Sequence, residues 1–412
     1  MSSAPSALPS TSSSRPYALS WILLLGLLTA LGPLSIDMYL PALPSMANSF
    51  GVSVAAMSNS IPAYFLGLAV GQLFYGPISD RFGRKPPLYF GLSLFVLASV
   101  WCALSTELSS LLFARTLQAL GGCVGVVVAR SAIRDCLSPQ DSAQAYAMLL
   151  MVMGVAPILA PMLGATLLLF ASWQAVFWVL AAVGVGCLLV IHFRFKETLA
   201  VENRRSLAIG SVLRTYAQLL GDWRFILPAL AGACLLGALF VYISACSGLL
   251  MGYFKVSETA FAWLFGINAS GFVIVSQLNA RFVRRYGLFK VFACGALIQW
   301  VGGMSLMLLA LTPWVSLPLV YAILFMTIAA IGLTAPNSTA MALADQGQRA
   351  GMASALMGAM QFGLGLLGGA LLHALALSEV LGIGVMMALM ISVGGLVLWR
   401  YRFRLNQAAA QA

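Results

Sequence analysis

Apolar residues fill this chain in long runs that short polar intervals separate. A helix needs about 20 such residues to cross hydrocarbon. Read with a window of that length, the chain divides into twelve apolar segments: 19–43, 58–78, 87–104, 111–133, 143–169, 173–192, 225–251, 260–279, 291–311, 317–343, 351–375 and 381–399. Gly and Pro interrupt the first, fifth and tenth, so their ends are the least sharp. The pattern predicts an all-α integral membrane protein of 12 transmembrane helices. Two six-helix bundles, 19–192 and 225–399, flank a polar linker at 193–224, with tails at 1–18 and 400–412. Val212, Leu213, Tyr216, Leu219 and Leu220 share one helical face in the linker. They predict an amphipathic helix, either on the membrane surface or packed as a strut. Met1–Ser14 is rich in Ser, Pro and Ala and reads as a disordered tail. Arg15 alone precedes a long first segment, so no cleavable leader is expected.

Composition agrees with the pattern. The chain is 61% hydrophobic and 8% charged, against about 25% charged in a soluble domain. Seven cysteines lie scattered without a C-x-x-C pair, and there are two histidines, so neither a disulfide framework nor a metal site is suggested. The net charge of +11 is an orientation signal. Apart from Arg115, within the fourth segment, and Lys255, the Lys and Arg residues all fall on one side, while Glu107, Glu258 and Glu379 lie on the other. The positive-inside rule then places both termini in the cytoplasm and removes any need for nucleic acid.

The halves look like repeats. Asp80-Arg81-Phe82-Gly83-Arg84-Lys85 follows the second segment, and Arg281-Phe282-Val283-Arg284-Arg285-Tyr286-Gly287 follows the eighth. Repeated six-helix halves are the plan of many secondary transporters, with substrate held near the midplane between them. No G-x-x-x-x-G-K-[ST] loop is present to hold nucleotide phosphates. Transport must then run on an ion gradient or on the substrate's own. A membrane-embedded enzyme is disfavoured, because one acid, one Arg and no ligand cluster give little catalytic machinery. A passive channel is a third class, separated from the others by a test for uphill movement.

Asp37 is the one acid placed in hydrocarbon, within Leu34-Ser35-Ile36-Asp37-Met38-Tyr39-Leu40-Pro41. A carboxylate there costs about 2.5–3.5 kcal/mol on insertion scales, so such residues face a cavity and carry protons, ions or substrate. The plainer alternative is an acid wetted at the outer helix end.

Gly76-Pro77-Ile78-Ser79-Asp80-Arg81-Phe82-Gly83-Arg84-Lys85 resembles the loop signature of the major facilitator superfamily. The stretch around Asp37, with Lys196-Glu197-Thr198-Leu199 and Asn279-Ala280-Arg281, is similar to the Bcr/CflA branch of bacterial drug:proton antiporters. The resemblance spans essentially the whole membrane domain. It implies a bacterial inner-membrane exporter that exchanges small amphipathic antibiotics of the bicyclomycin, chloramphenicol or sulfonamide type for protons. It implies no cofactor, and a monomer among lipid. A proton-coupled transporter of an amino acid or sugar is the alternative.

Arg115 matches the intramembrane arginine motif of those antiporters. It stays charged and needs a partner. The first helix runs outward and the fourth inward, so Asp37 and Arg115 both fall in the outer half and are expected to meet, directly or through water, as a proton-coupling pair. The alternative is a static structural pair. Gly154, Pro157, Pro161 and Gly164 resemble the antiporter motif of the fifth helix, although Ala160-Pro161 and Gly164-Ala165 replace its usual pairs. With Gly76, Asp80, Arg81, Gly83, Arg84 and Lys85 they form the conformational set. Tyr39, Gln118, Met151, Asn268 and Gln361 are the candidate substrate contacts, with packing or interhelical hydrogen bonding as the plainer reading of each.

Overall fold

The computed structural model describes residues 19–137, 139–204, 209–375 and 377–411; the 1–18 tail lies outside them. In order, the α-helices are α1 (Leu19–Asp37), α2 (Leu43–Phe50), α3 (Val54–Ser58), α4 (Ser60–Phe82), α5 (Lys85–Leu104) and α6 (Leu108–Cys136). There follow α7 (Pro139–Leu168), α8 (Gln174–Arg194), α9 (Ile209–Gly221), α10 (Trp223–Ser247) and α11 (Glu258–Tyr286). The last five are α12 (Leu288–Leu309), α13 (Leu317–Ala329), α14 (Ile331–Leu343), α15 (Ala350–Ala374) and α16 (Glu379–Gln411). They build 12 helical spans long and apolar enough to cross a membrane. Helices suit hydrocarbon because each satisfies its own backbone groups.

The first span is where the sequence reading needs most revision. α1 stops at Asp37, a 3-10 turn occupies Leu40–Ala42, and α2 then finishes the crossing. Pro41 and Pro44 open the two short helices, where a missing N–H costs nothing. The seventh span breaks comparably: α10 passes at Ser247 into a π turn, Gly248–Tyr253. Ser247 Oγ donates to the Leu40 carbonyl at 2.9 Å, so the two broken helices touch across the halves. The tenth span is also divided, into α13 and α14. α16 continues to Gln411, through the stretch expected to be a tail.

Between the halves, α4 packs on α15 and α7 on α11. Call the end that carries Arg84 and Arg285 the basic end; Glu107 and Glu379 lie at the other. At the basic end Gly83 (φ +92°) stops α4 and Gly287 (φ +84°) stops α11. Both adopt a backbone conformation that only glycine enters freely, at matching places in the repeats.

The linker helix α9 is packed, though not along its whole predicted face. Tyr216 and Leu219 join an apolar cluster with Phe225, Ala353 and Leu356, and the Tyr216 hydroxyl donates to the Leu73 carbonyl at 3.1 Å. Leu213 and Leu220 remain exposed.

Candidate functional site

Arg84 shows how the basic loop is fixed. Its side chain is 1% exposed, with Nε donating to Asp135 at 2.7 Å and Nη1 to Asp80 at 2.7 Å and to Ser79 at 2.8 Å. Glu197 accepts from the backbone N–H groups of Arg84, Lys85, Thr198 and Leu199, which caps the start of α5. Burial works to raise the Glu197 pKa, but these four donors hold it below the usual carboxylate range. The motif residues do unequal things. Arg81 lies over the Phe82 ring, the Lys85 ammonium reaches the His192 carbonyl at 3.5 Å, and no neighbour crowds Gly76.

The Gly/Pro-rich helix α7 faces two ways. A Cβ on Gly154 would press on Val273 of α11, across the boundary between halves, and one on Gly164 would collide with the Met38 carbonyl. Pro157 lines the central cavity and Pro161 is buried. The motif thus seats α7 against the other half at one point and against the break in α1 at another.

Asp37 is buried, Oδ1 has no hydrogen-bond partner, and the residue lines a cavity of about 330 Å³. The wall comes from both halves: α1, α4, α6 and α7 of the first, α10, α14 and α15 of the second. Asp37 also lies within electrostatic reach of Tyr242 and Cys246 on α10. Tyr242 in turn accepts a hydrogen bond from Asn268 Nδ2 at 2.9 Å.

Arg115 does not pair with Asp37: among the described residues it forms no ion pair. Its Nη2 donates to the Ser35 carbonyl at 2.9 Å and its Nη1 to Gln118 Oε1 at 2.6 Å. The guanidinium lies 4.2 Å from the Tyr39 ring centroid, 4.3 Å from Tyr64 and 5.8 Å from Phe177. Such contacts are worth about 2 kcal/mol when desolvated. The reason is helical geometry. Ser35 in the last turn of α1 and Tyr39 in the turn just after it lie one helical turn apart on one side, whereas Asp37, between them, points roughly the opposite way. Arg115 therefore satisfies a carbonyl freed where the helix ends, on the side of α1 away from the cavity.

The candidate substrate contacts divide accordingly. Gln361 lines the cavity. Tyr39 and Gln118 belong to the Arg115 cluster, Gln118 passing a hydrogen bond on to Ser99 at 2.7 Å. Asn268 is buried on Tyr242 outside the lining, and Met151 is 57% exposed on the outside of the bundle, while Met153 lines the cavity in its stead. The sequence reading missed Gln72, Arg130, Phe240, Thr339, Ser354 and Phe362. Arg130 falls inside the fourth predicted segment but counts there only as an orientation charge; it lies six residues inside α6.

The Major Facilitator Superfamily pattern matches residues 25–373. The chain is 36% identical over 349 residues to an MFS-type transporter, YdgK, of Bacillus subtilis, covering 83% of this chain and 85% of that one. It is 29% identical to a bicyclomycin resistance protein homolog of Haemophilus influenzae, over 85% of this chain and 88% of the relative. It is also 31% identical to a chloramphenicol resistance protein of Pseudomonas aeruginosa, over 66% and 64%. Among solved structures, a peptide transporter POT superposes with TM-score 0.75 at 15% identity, covering 96% of this chain and 97% of that one. A D-xylose-proton symporter gives 0.72 at 14%, covering 93% and 98%. Likeness at that identity concerns the fold alone. Twelve spans in two halves, a cavity walled by both and these relatives together make the chain a multi-pass membrane transporter of the major facilitator superfamily, in its Bcr/CflA branch.

Proposed function

We propose that this chain exports small amphipathic antibiotics in exchange for protons, by alternating access in the bacterial inner membrane with both termini cytoplasmic. The observation that carries the reading is Asp37: a buried acid with a free oxygen, on the wall of a cavity that both halves enclose. The names of the Haemophilus and Pseudomonas relatives support the substrate class.

Asp37 is the last residue of α1, and three residues later Leu40 holds Ser247 of the other half. Gain or loss of a proton changes the charge next to this contact. It biases the two arrangements of the halves, since a ligand shifts an equilibrium by its differential affinity for the two states. Arg115 steadies the opposite face of α1. The proton is the coupling ion, no cofactor takes part, and one chain encloses the whole site, so the working unit is a monomer.

Proteoliposomes with an imposed pH gradient test this. Wild type should move chloramphenicol uphill against proton flow. Asp37→Asn should bind drug yet lose uphill movement entirely, and Asp37→Glu should keep part of it. Full uphill export by the Asn variant removes Asp37 from the mechanism, and gradient-driven movement of an amino acid or sugar alone would give the site to a metabolite.

A further inference from the structure

Among the described residues Arg130 is the one cation lining the cavity, and nothing in the proton-exchange scheme uses it. It sits on α6 six residues before the helix ends, about 9 Å inside at 1.5 Å per residue. The side chain is exposed to the cavity. Among the described residues its guanidinium makes one polar contact, a long 3.4 Å reach from Nη1 to Ser354 Oγ on α15. The Tyr146 hydroxyl donates to the Arg130 backbone carbonyl and leaves the side chain uncommitted. None of the described acids forms an ion pair with it. Asp37, the acid of the same lining, closes α1 near the middle of the first span, Trp21–Phe50.

A guanidinium facing an enclosed space without a carboxylate needs acceptors from elsewhere. Its planar fork matches two oxygens on one atom, as in a carboxylate, nitro or sulfonyl group. The rest of the lining suits a flat apolar body. Phe240 and Phe362 lie stacked with centroids 5.4 Å apart, and Phe65 packs on both. Met153 and Met357 supply adaptable surface beside them. The cavity volume, about 330 Å³, is that of a site for one small molecule.

We propose that Arg130 is the specificity-determining residue of this cavity, selecting molecules that join a flat apolar ring system to a group with two paired acceptor oxygens. An aromatic cation without such a group gains nothing from Arg130 and is repelled by it. The proposal deepens the export reading, because it names what that same site recognises.

Equilibrium binding to the full chain in lipid nanodiscs tests it with three probes: 2-naphthoate, chloramphenicol, and the trimethylammonium analogue of naphthalene. Wild type should bind the first two more tightly than the third. Arg130→Ala should weaken naphthoate and chloramphenicol by about tenfold or more, as expected on losing a charge-assisted bond, with the ammonium unchanged or tighter. Arg130→Lys keeps the charge without the fork, so it should recover naphthoate more than chloramphenicol. Unchanged ammonium binding by the Ala variant reports an intact fold, and Arg130→Gln repeats the test with side-chain length kept. Equal losses for all three probes, no loss for any, or a wild-type preference for the ammonium would overturn the assignment. Binding does not depend on transport, so loss of gradient-driven export with the probe discrimination intact would sink the export reading alone. The reverse pattern would sink this one alone.

Discussion

Arg84 and Arg115 are both fully buried, and they are held in opposite ways, with the Nε of Arg115 left without a hydrogen-bond partner among the described residues. Arg84 sits between two carboxylates, Asp80 and Asp135. Arg115 has a carbonyl, an amide oxygen and three ring faces, with no described acid in ion-pair range. The first arrangement ties three helices, α4, α5 and α6, at the basic end of the bundle. The second holds α1 beside the proposed proton site with groups that do not change charge near neutral pH. Its grip on α1 is therefore the same whichever state Asp37 is in.

The largest expected effect is at Arg84. Arg84→Ala leaves two acids facing each other and should cost about 3–5 kcal/mol, the range for stripping one partner from a buried pair. A large fall in the thermal unfolding midpoint in detergent would report it. Arg115→Met keeps apolar volume and loses two charge-assisted bonds and three ring contacts, but it also removes a buried charge that no described acid neutralises. That relief of desolvation should hold its net cost below that of Arg84→Ala, while uphill export falls because α1 loses its support. Equal losses at the two sites would erase the distinction drawn here. Acid should also separate them. Glu197, held below its ordinary range, stabilises the Arg84 corner fully above about pH 4.3. That contribution is lost as pH falls through its lower folded-state value. Midpoints recorded against pH should show an acid limb that Glu197→Gln flattens and Arg115→Met leaves in place. The smallest effect is Tyr39→Phe, which removes the 3.0 Å Ser60 contact but keeps the ring under the guanidinium, for about 0.5–1.5 kcal/mol. A loss as large as that of Tyr39→Leu would mean the hydroxyl, and not the ring, carries the contact.

Much of this was legible in the chain because charge in an apolar run is conspicuous. Asp37 and Arg115 stand out for that reason, and the twelve spans follow from length and composition. Their separation was not legible. It depends on which face of α1 each meets, and depth in the membrane gives no angle around the helix axis. The same two-residue rotation moves Met151 outward and Met153 into the cavity. Arg130 was hidden by its own usefulness as an orientation signal: it falls inside the fourth apolar segment, 111–133, yet counts there only as one more charge on the cytoplasmic side. The prolines after Asp37 marked an interrupted span, but the π turn that meets it across the halves carries no proline to announce it.

The docking of Glu197 and of α9 sets the place where this transporter can be divided. Glu197 caps α5, so the chain through Leu199 belongs with the first bundle, whereas α9 packs with α10 and α15 and belongs with the second. A gene cut in the interval 200–208 and expressed as two polypeptides would leave Glu197 with the first product and α9 with the second, and the halves would reassemble through the α4–α15 and α7–α11 seams and the Tyr216–Leu73 contact. A cut before Lys196 would strip the first product of its cap. A cut beyond Gly221 would leave Leu219 on the wrong fragment, so the functional border between the repeats is narrower than the polar interval that marks it.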